Sequence, residues 1–246
     1  MIVRVGSGVM SAPLTYSTEN KKVLCYFSNW AGLRDGDGKY VPENIPAEHC
    51  TDVVYAFARL DEEKLIPVPS GPIADIDQQY FSRVHDTVKA RNPEARVLIS
   101  LGGWADSAGS KYSDMVNNDN LRSNFVQGTL EFLKLHNFDG MVLEWHFPVC
   151  WQSNCSKGPE TDRSGFTKLT KDLKTAFGKR YSIGATLSGY QNVIEKAYEV
   201  AELSRNLDFI NIMAYDLHGF WDGRTGHHSP LTSNTDALSV VRLDLL

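Results

Sequence analysis

No run in this chain is long and apolar enough to cross a bilayer. Its first twenty residues carry Arg4 but no apolar core of signal-peptide length, so no secretion signal is visible there. Cysteine is scarce, at four residues, and none sits in a Cys-x-x-Cys or Cys/His cluster with zinc spacing. His227-His228 supplies too few ligands for a metal, and His49, His85 and His136 have no clustered partners and read as surface residues. Neither a metal nor another cofactor is expected. An excess of one charge is missing too. With 25 basic and 30 acidic residues the net charge is -5, which asks for neither nucleic acid nor an anionic membrane. Gly102-Gly103 is not followed by Lys-Ser/Thr, which excludes a phosphate loop. Long repeats and low-complexity linkers are absent, and one domain is expected.

What is present is enough for one large α/β domain: 246 residues, 42% hydrophobic. Aromatic residues make up 11%, with five Trp and ten Tyr. Such rings suit carbohydrate, although their ordinary role is packing. Cys25 and Cys50 frame one loop region, and Cys150 and Cys155 close a short one. An even count at these spacings fits two disulfides and an oxidising, extracellular compartment. Four free buried thiols in a cytosolic protein is the other reading. Asn154-Cys155-Ser156 is a formal glycosylation sequon, a poor acceptor if Cys155 is bonded.

Apolar runs at 23–27, 52–58, 96–101, 141–143, 181–187 and 208–215 read as strands. Helical spacing alternates with them. A short turn covers 41–50. Residues 78–91 carry Phe81, Val84 and Val88. Asp119 or Asn120 caps a helix with Leu121, Phe125, Leu130 and Leu133. Ser164 caps one with Phe166, Leu169, Leu173 and Phe177, closed by Gly178. A last helix lies near 194–206. Residues 1–21 read as a poorly ordered leader and 22–246 as the domain. The alternation is that of a (β/α) barrel, whose site lies on the loops after the strands. Because the strands number six where a closed barrel has eight, the chain reads as a barrel truncated after strand six.

The chain turns on Phe138-Asp139-Gly140-Met141-Val142-Leu143-Glu144-Trp145-His146-Phe147-Pro148. Successive side chains of a strand point to opposite faces. Val142, Glu144 and His146 therefore share one face, and Met141, Leu143 and Trp145 the other. A titratable pair stands side by side at the strand's end.

This stretch resembles the strand-four signature of family 18 glycoside hydrolases, the chitinases, which reads Asp-Gly-x-Asp-x-Asp-x-Glu followed by Tyr-Pro. Asp139 and Gly140 match it. Val142 stands for the second Asp, Glu144 for the third, His146 for the catalytic Glu and Phe147 for the Tyr. Further segments are similar to the family in order: Cys25-Tyr26-Phe27-Ser28-Asn29-Trp30, Tyr55-Ala56-Phe57-Ala58, Ser100-Leu101-Gly102-Gly103-Trp104 and Met213-Ala214-Tyr215-Asp216-Leu217-His218-Gly219. The loop Cys150-Trp151-Gln152-Ser153-Asn154-Cys155 looks like arthropod chitinases.

The resemblance implies a (β/α)8 TIM barrel, present through about strand six, and chitin or chito-oligosaccharides as partner. It places His146, Glu144, Asp139, Tyr215 and Asp216 at the catalytic positions. It places Tyr26, Trp30, Phe57, Trp104, Met213 and Trp221 where sugar is bound. In family 18 one Glu protonates the leaving oxygen, and the substrate's own N-acetyl group assists. With His146 at the acid position, the expectation is a chitinase-like protein that binds N-acetylglucosamine polymers and hydrolyses them poorly or not at all. The alternatives are an active chitinase with His146 as acid, and a fragment without function.

Overall fold

The computed structural model describes residues 2–3, 21–71 and 73–230. Its strands are β1 (Ile2–Val3), β2 (Leu24–Ser28), β3 (Asp52–Leu60), β4 (Pro67–Pro69), β5 (Arg96–Gly102), β6 (Gly140–Glu144), β7 (Ser182–Ser188) and β8 (Phe209–Met213). Its α-helices are α1 (Tyr80–Arg91), α2 (Lys111–Asn117), α3 (Asp119–Leu135), α4 (Thr161–Phe177), α5 (Gln191–Ala197) and α6 (Val200–Asn206). The sheet runs β1-β8-β7-β6-β5-β3-β2, with β4 paired to β3. β2, β3, β5, β6, β7 and β8 are parallel. β1 and β4 join antiparallel. The parallel strands curl into a half-barrel. β2 and β8 stand at opposite ends of the parallel set, yet Asn211 Nδ2 donates to the Tyr26 hydroxyl at 2.8 Å across the lumen.

The alternation of strand side chains sorts the core into two unequal parts. Outward residues such as Tyr55, Ile99, Met141 and Ile183 meet Phe81 and Val84 of α1, Phe125 and Leu133 of α3, and Phe166 and Leu173 of α4 in one continuous cluster. The lumen holds a second cluster, Val54, Leu98, Val142 and Phe209, with Leu24 partly buried against it. β6 and β7 approach closely because Gly140 has no side chain: a Cβ there would lie 2.1 Å from the Ser182 carbonyl oxygen.

The structure differs from the sequence reading in several places. Asn118, not Asp119 or Asn120, caps α3; its side chain accepts from the Asn120 and Leu121 amides at 3.0 and 3.1 Å. Ser164 lies inside α4, which begins at Thr161, and its hydroxyl donates to the Thr161 carbonyl at 3.1 Å. The segment near 194–206 is two short helices, α5 and α6, parted at Tyr198-Glu199. β8 stops at Met213, because the Ala214 amide turns back to the Ile212 carbonyl at 2.9 Å. Neither α2 nor β4 was expected.

His136 is not a free surface residue. Its ring packs on Phe81 and Phe132, at 4.8 and 4.6 Å between centroids, and burial holds its pKa below the usual imidazole value. His85 pairs with Asn137 at 2.8 Å. Of the expected leader, Ile2 and Val3 pair with Asn211 and Ile210, and residues 4–20 lie outside the described residues. Residues 231–246 also lie outside them.

Gly140→Ala should force a methyl group into the β6–β7 ladder against backbone that has nowhere to move. We expect a loss of roughly 3 kcal/mol of stability or more, read from urea unfolding. An unchanged midpoint would mean that the two strands are not in this register.

Candidate functional site

The site is built where the parallel strands end, on the lumen face. Glu144, the last residue of β6, is 4% exposed and takes hydrogen bonds on both oxygens. Oε1 accepts from the Tyr26 hydroxyl at 2.9 Å and from the Thr186 hydroxyl at 2.7 Å. Oε2 meets His146 Nε2 at 3.1 Å. A carboxylate only accepts, so Nε2 carries the proton of this bond. In the neutral ring Nδ1 is then a lone pair, and it is buried with no hydrogen-bond partner among the described residues. Tyr26 is tied further to Asn211. Its ring is half exposed, but its hydroxyl is sunk among these groups. That burial first, and the Glu144 charge second, hold its pKa far above the usual phenol range. Burial, Glu144 and Asp216 likewise push the Tyr215 hydroxyl up.

Two flanking segments brace His146. On one side Ser107 accepts from the His146 amide at 2.9 Å and donates to the Gly103 carbonyl at 2.8 Å. On the other stands the loop closed by the Cys150–Cys155 disulfide. There the Gln152 amide donates to the His146 carbonyl at 2.8 Å, and the Gln152 side chain donates to the Trp104 carbonyl at 3.2 Å. The loop is anchored from below by Asp162, which is fully buried. Its carboxylate accepts from Ser113, Asn117, the Val149 amide and Trp151 Nε1. Cys25 and Cys50 form the second disulfide.

A cavity of about 580 Å³ opens over the lumen. Glu144, His146, Tyr26 and Thr186 form its polar floor. Phe57, Ile212, Met213, Tyr215, Asn211, Lys22, Val23 and Leu24 also line it. Beside it Trp30, 46% exposed, stacks on Phe57 with centroids 5.9 Å apart. Trp104, 51% exposed, stands 6.4 Å from the His146 ring. Trp221 is 52% exposed on the loop after β8, edge-on to Phe220. Among the described residues no group of three or more His, Cys, Asp or Glu is placed to hold a metal ion.

The structure thus brings together Glu144, His146, Tyr26, Phe57, Met213 and Tyr215, with Trp30 and Trp104 on the flank. Asp139 must be corrected. It lies at the other end of the strand, where its carboxylate accepts from the Val97 amide at 2.9 Å and meets Lys89 at 3.4 Å. It fastens β5 to β6 and does not reach the cavity. Asp216 is turned toward His228, with Oδ1 2.6 Å from Nε2, and is not among the residues lining the cavity. Sequence reasoning missed Thr186, Asn211, Ser107, Gln152 and Asp162. For Thr186 and Asn211 a signal was there: each is a polar residue inside an apolar strand.

Residues 22–242 match the glycosyl hydrolases family 18 profile. The chain belongs to this family. Among its relatives, "Probable chitinase 10" of Drosophila melanogaster is 44% identical over 216 residues, covering 87% of this chain and 9% of that protein. Catalytic domain 2 of the Ostrinia furnacalis Group II chitinase superimposes with a TM-score of 0.84 at 44% identity, covering 87% of this chain and 56% of that one. It has also been solved in complex with penta-N-acetylchitooctaose, (NAG)5. Human YKL-39, described as a pseudo-chitinase with retained chitooligosaccharide binding properties, superimposes at 0.74 with 30% identity, over 87% of this chain and 57% of that one. This family 18 chain spans less than half the length of its first curated relatives: 9%, 48% and 39%. It is a chitinase-like member of arthropod type.

Because folding raises the Tyr26 pKa, its neutral hydroxyl stabilises the fold below the unfolded phenol pKa of about 10. That stability is lost as pH rises above this value. The free energy of unfolding should fall with pH above about 10, and Tyr26→Phe should make the slope shallower. Equal slopes in the two proteins would show that the hydroxyl is not held in this network.

Proposed function

We propose that this family 18 chain binds chitin-type oligosaccharides in the cleft over its open lumen and does not cleave them. The observation that carries the reading is His146 Nε2 at 3.1 Å from Glu144 Oε2. Glycosidic cleavage needs a proton delivered to the leaving oxygen. Among the described residues Glu144 is the one carboxyl group lining the cavity, and both of its oxygens already act as acceptors. His146 holds its Nε2 proton inward, on Glu144, rather than toward a bound sugar. Val142, at the second Asp position, is an apolar member of the lumen cluster. Among the described residues no second carboxylate lines the cavity beside the pair.

Binding asks for less. A flat ring face is enough to stack on a pyranose, and it needs neither an acid nor a cofactor. Trp30, Trp104 and Trp221 each keep about half of their surface open. The pseudo-chitinase YKL-39, with retained chitooligosaccharide binding, supports the separation of binding from turnover. Two disulfides in a chain with four cysteines support an exported protein, working outside the cell on an insoluble or secreted glycan.

Native mass spectrometry of the chain with a six-sugar N-acetylglucosamine oligomer tests this. We expect an intact adduct that persists over hours. Shorter oligomers that disappear in His146→Ala would establish His146 as an acid and overturn the reading. Trp104→Ala should weaken binding of the same oligomer roughly tenfold, measured by calorimetry. Unchanged affinity would place the sugar elsewhere.

A further inference from the structure

The turn that carries Trp104 is held from two directions. Toward the lumen it is fastened by Ser107 and by the Gly103 amide, which donates to the Glu144 carbonyl at 3.0 Å. Toward the surface the tie is Gln152. Its amide holds the His146 carbonyl and its side chain holds the Trp104 carbonyl. One residue thus spans the two segments that present the exposed indole and the imidazole, whose rings stand 6.4 Å apart.

Gln152 reaches both only because its backbone is left-handed, with φ 48°. Ser153 at 68° and Val149 at 62° share that region. A non-glycine residue there is uncommon and costs conformational energy unless its surroundings fix it. The surroundings here are specific. The Cys150–Cys155 disulfide closes the loop, the Ser153 amide donates to the Cys150 carbonyl at 2.9 Å, and Asp162 fastens Val149 and Trp151. Three left-handed non-glycine residues in a five-residue span are retained next to the cleft, where strain commonly marks function.

We infer that Gln152 is a positioning residue: it sets Trp104 at its distance from His146, and through Trp104 it sets the grip on the sugar. The second half of this statement rests on the reading of the cleft as a sugar site; the first does not.

Gln152→Ala keeps the backbone bond to His146 and removes the side-chain bond to Trp104. Gln152→Glu keeps the size but cannot donate. Both should expose Trp104 more to acrylamide quenching, and neither should change quenching in a Trp104→Phe background, which subtracts the other four indoles. Both should weaken binding of the six-sugar oligomer roughly three- to tenfold. Gln152→Gly relieves the left-handed backbone and loses the same tie, so binding should fall while its thermal midpoint holds or rises. Wild-type quenching in Gln152→Ala and Gln152→Glu would overturn the inference, as would a loss of binding that tracks a loss of midpoint in all three variants. If the wild-type chain binds no oligomer, the sugar reading fails, and the quenching comparison still decides the role of Gln152.

Discussion

The Glu144 carboxylate is the junction on which the lumen depends. It gathers Tyr26 from β2, Thr186 from β7 and His146 from the loop after β6, and through Tyr26 it draws in Asn211 of β8. A buried carboxylate is costly unless donors surround it. Once three donors are in place, strand ends that share no backbone ladder are tied at their lumen face. β2 and β8 meet there across open space. The phenol, hydroxyl and Nε2 protons therefore all converge on one carboxylate, and each already has a destination. The same convergence turns the Nε2 proton of His146 inward, onto Glu144.

The fold was legible because each signal was local and repeated. Apolar runs marked all six parallel strands, and the period of two along 138–148 sorted Val142, Glu144 and His146 onto one face and Met141, Leu143 and Trp145 onto the other, which the fold makes the lumen and the helix side. What was not legible depends on the third dimension. Asn118 and Asp119 are both good caps, and only the observed φ and ψ choose between them. Ser164 has the chemistry of a cap, but the chain had already entered the helix three residues earlier. His136 carries no sequence mark of the aromatic pocket into which α1 and α3 press it.

The site divides in the same way. Residues contiguous with the recognisable motif were found, and those that complete it from elsewhere were not. Thr186 reaches Glu144 from the neighbouring strand, and Asn211 joins the set through Tyr26 only when the sheet curls. Gln152 sits in a loop whose sequence shows the disulfide but not the left-handed backbone that the disulfide encloses. Asp139 went the other way. It keeps its family letter and stands at the opposite end of the strand, fastening backbone. A conserved-looking letter at the right spacing therefore marks the strand, and the chemistry has to be sought five residues further on.

The two cores are unequal, and this has a consequence for how such a chain can change. Most of the apolar interior lies between sheet and helices, while the lumen contributes Val54, Leu98, Val142 and Phe209. The apolar packing that holds the helices on the sheet is thus largely separate from the lumen face. On the lumen side the apolar positions disturb only a small cluster when they change, whereas Glu144 and Tyr26 carry the polar ties between strand ends. A change of side chain at such a lumen position leaves the packing between sheet and helices in place, so one scaffold can carry different chemistry at the same spot.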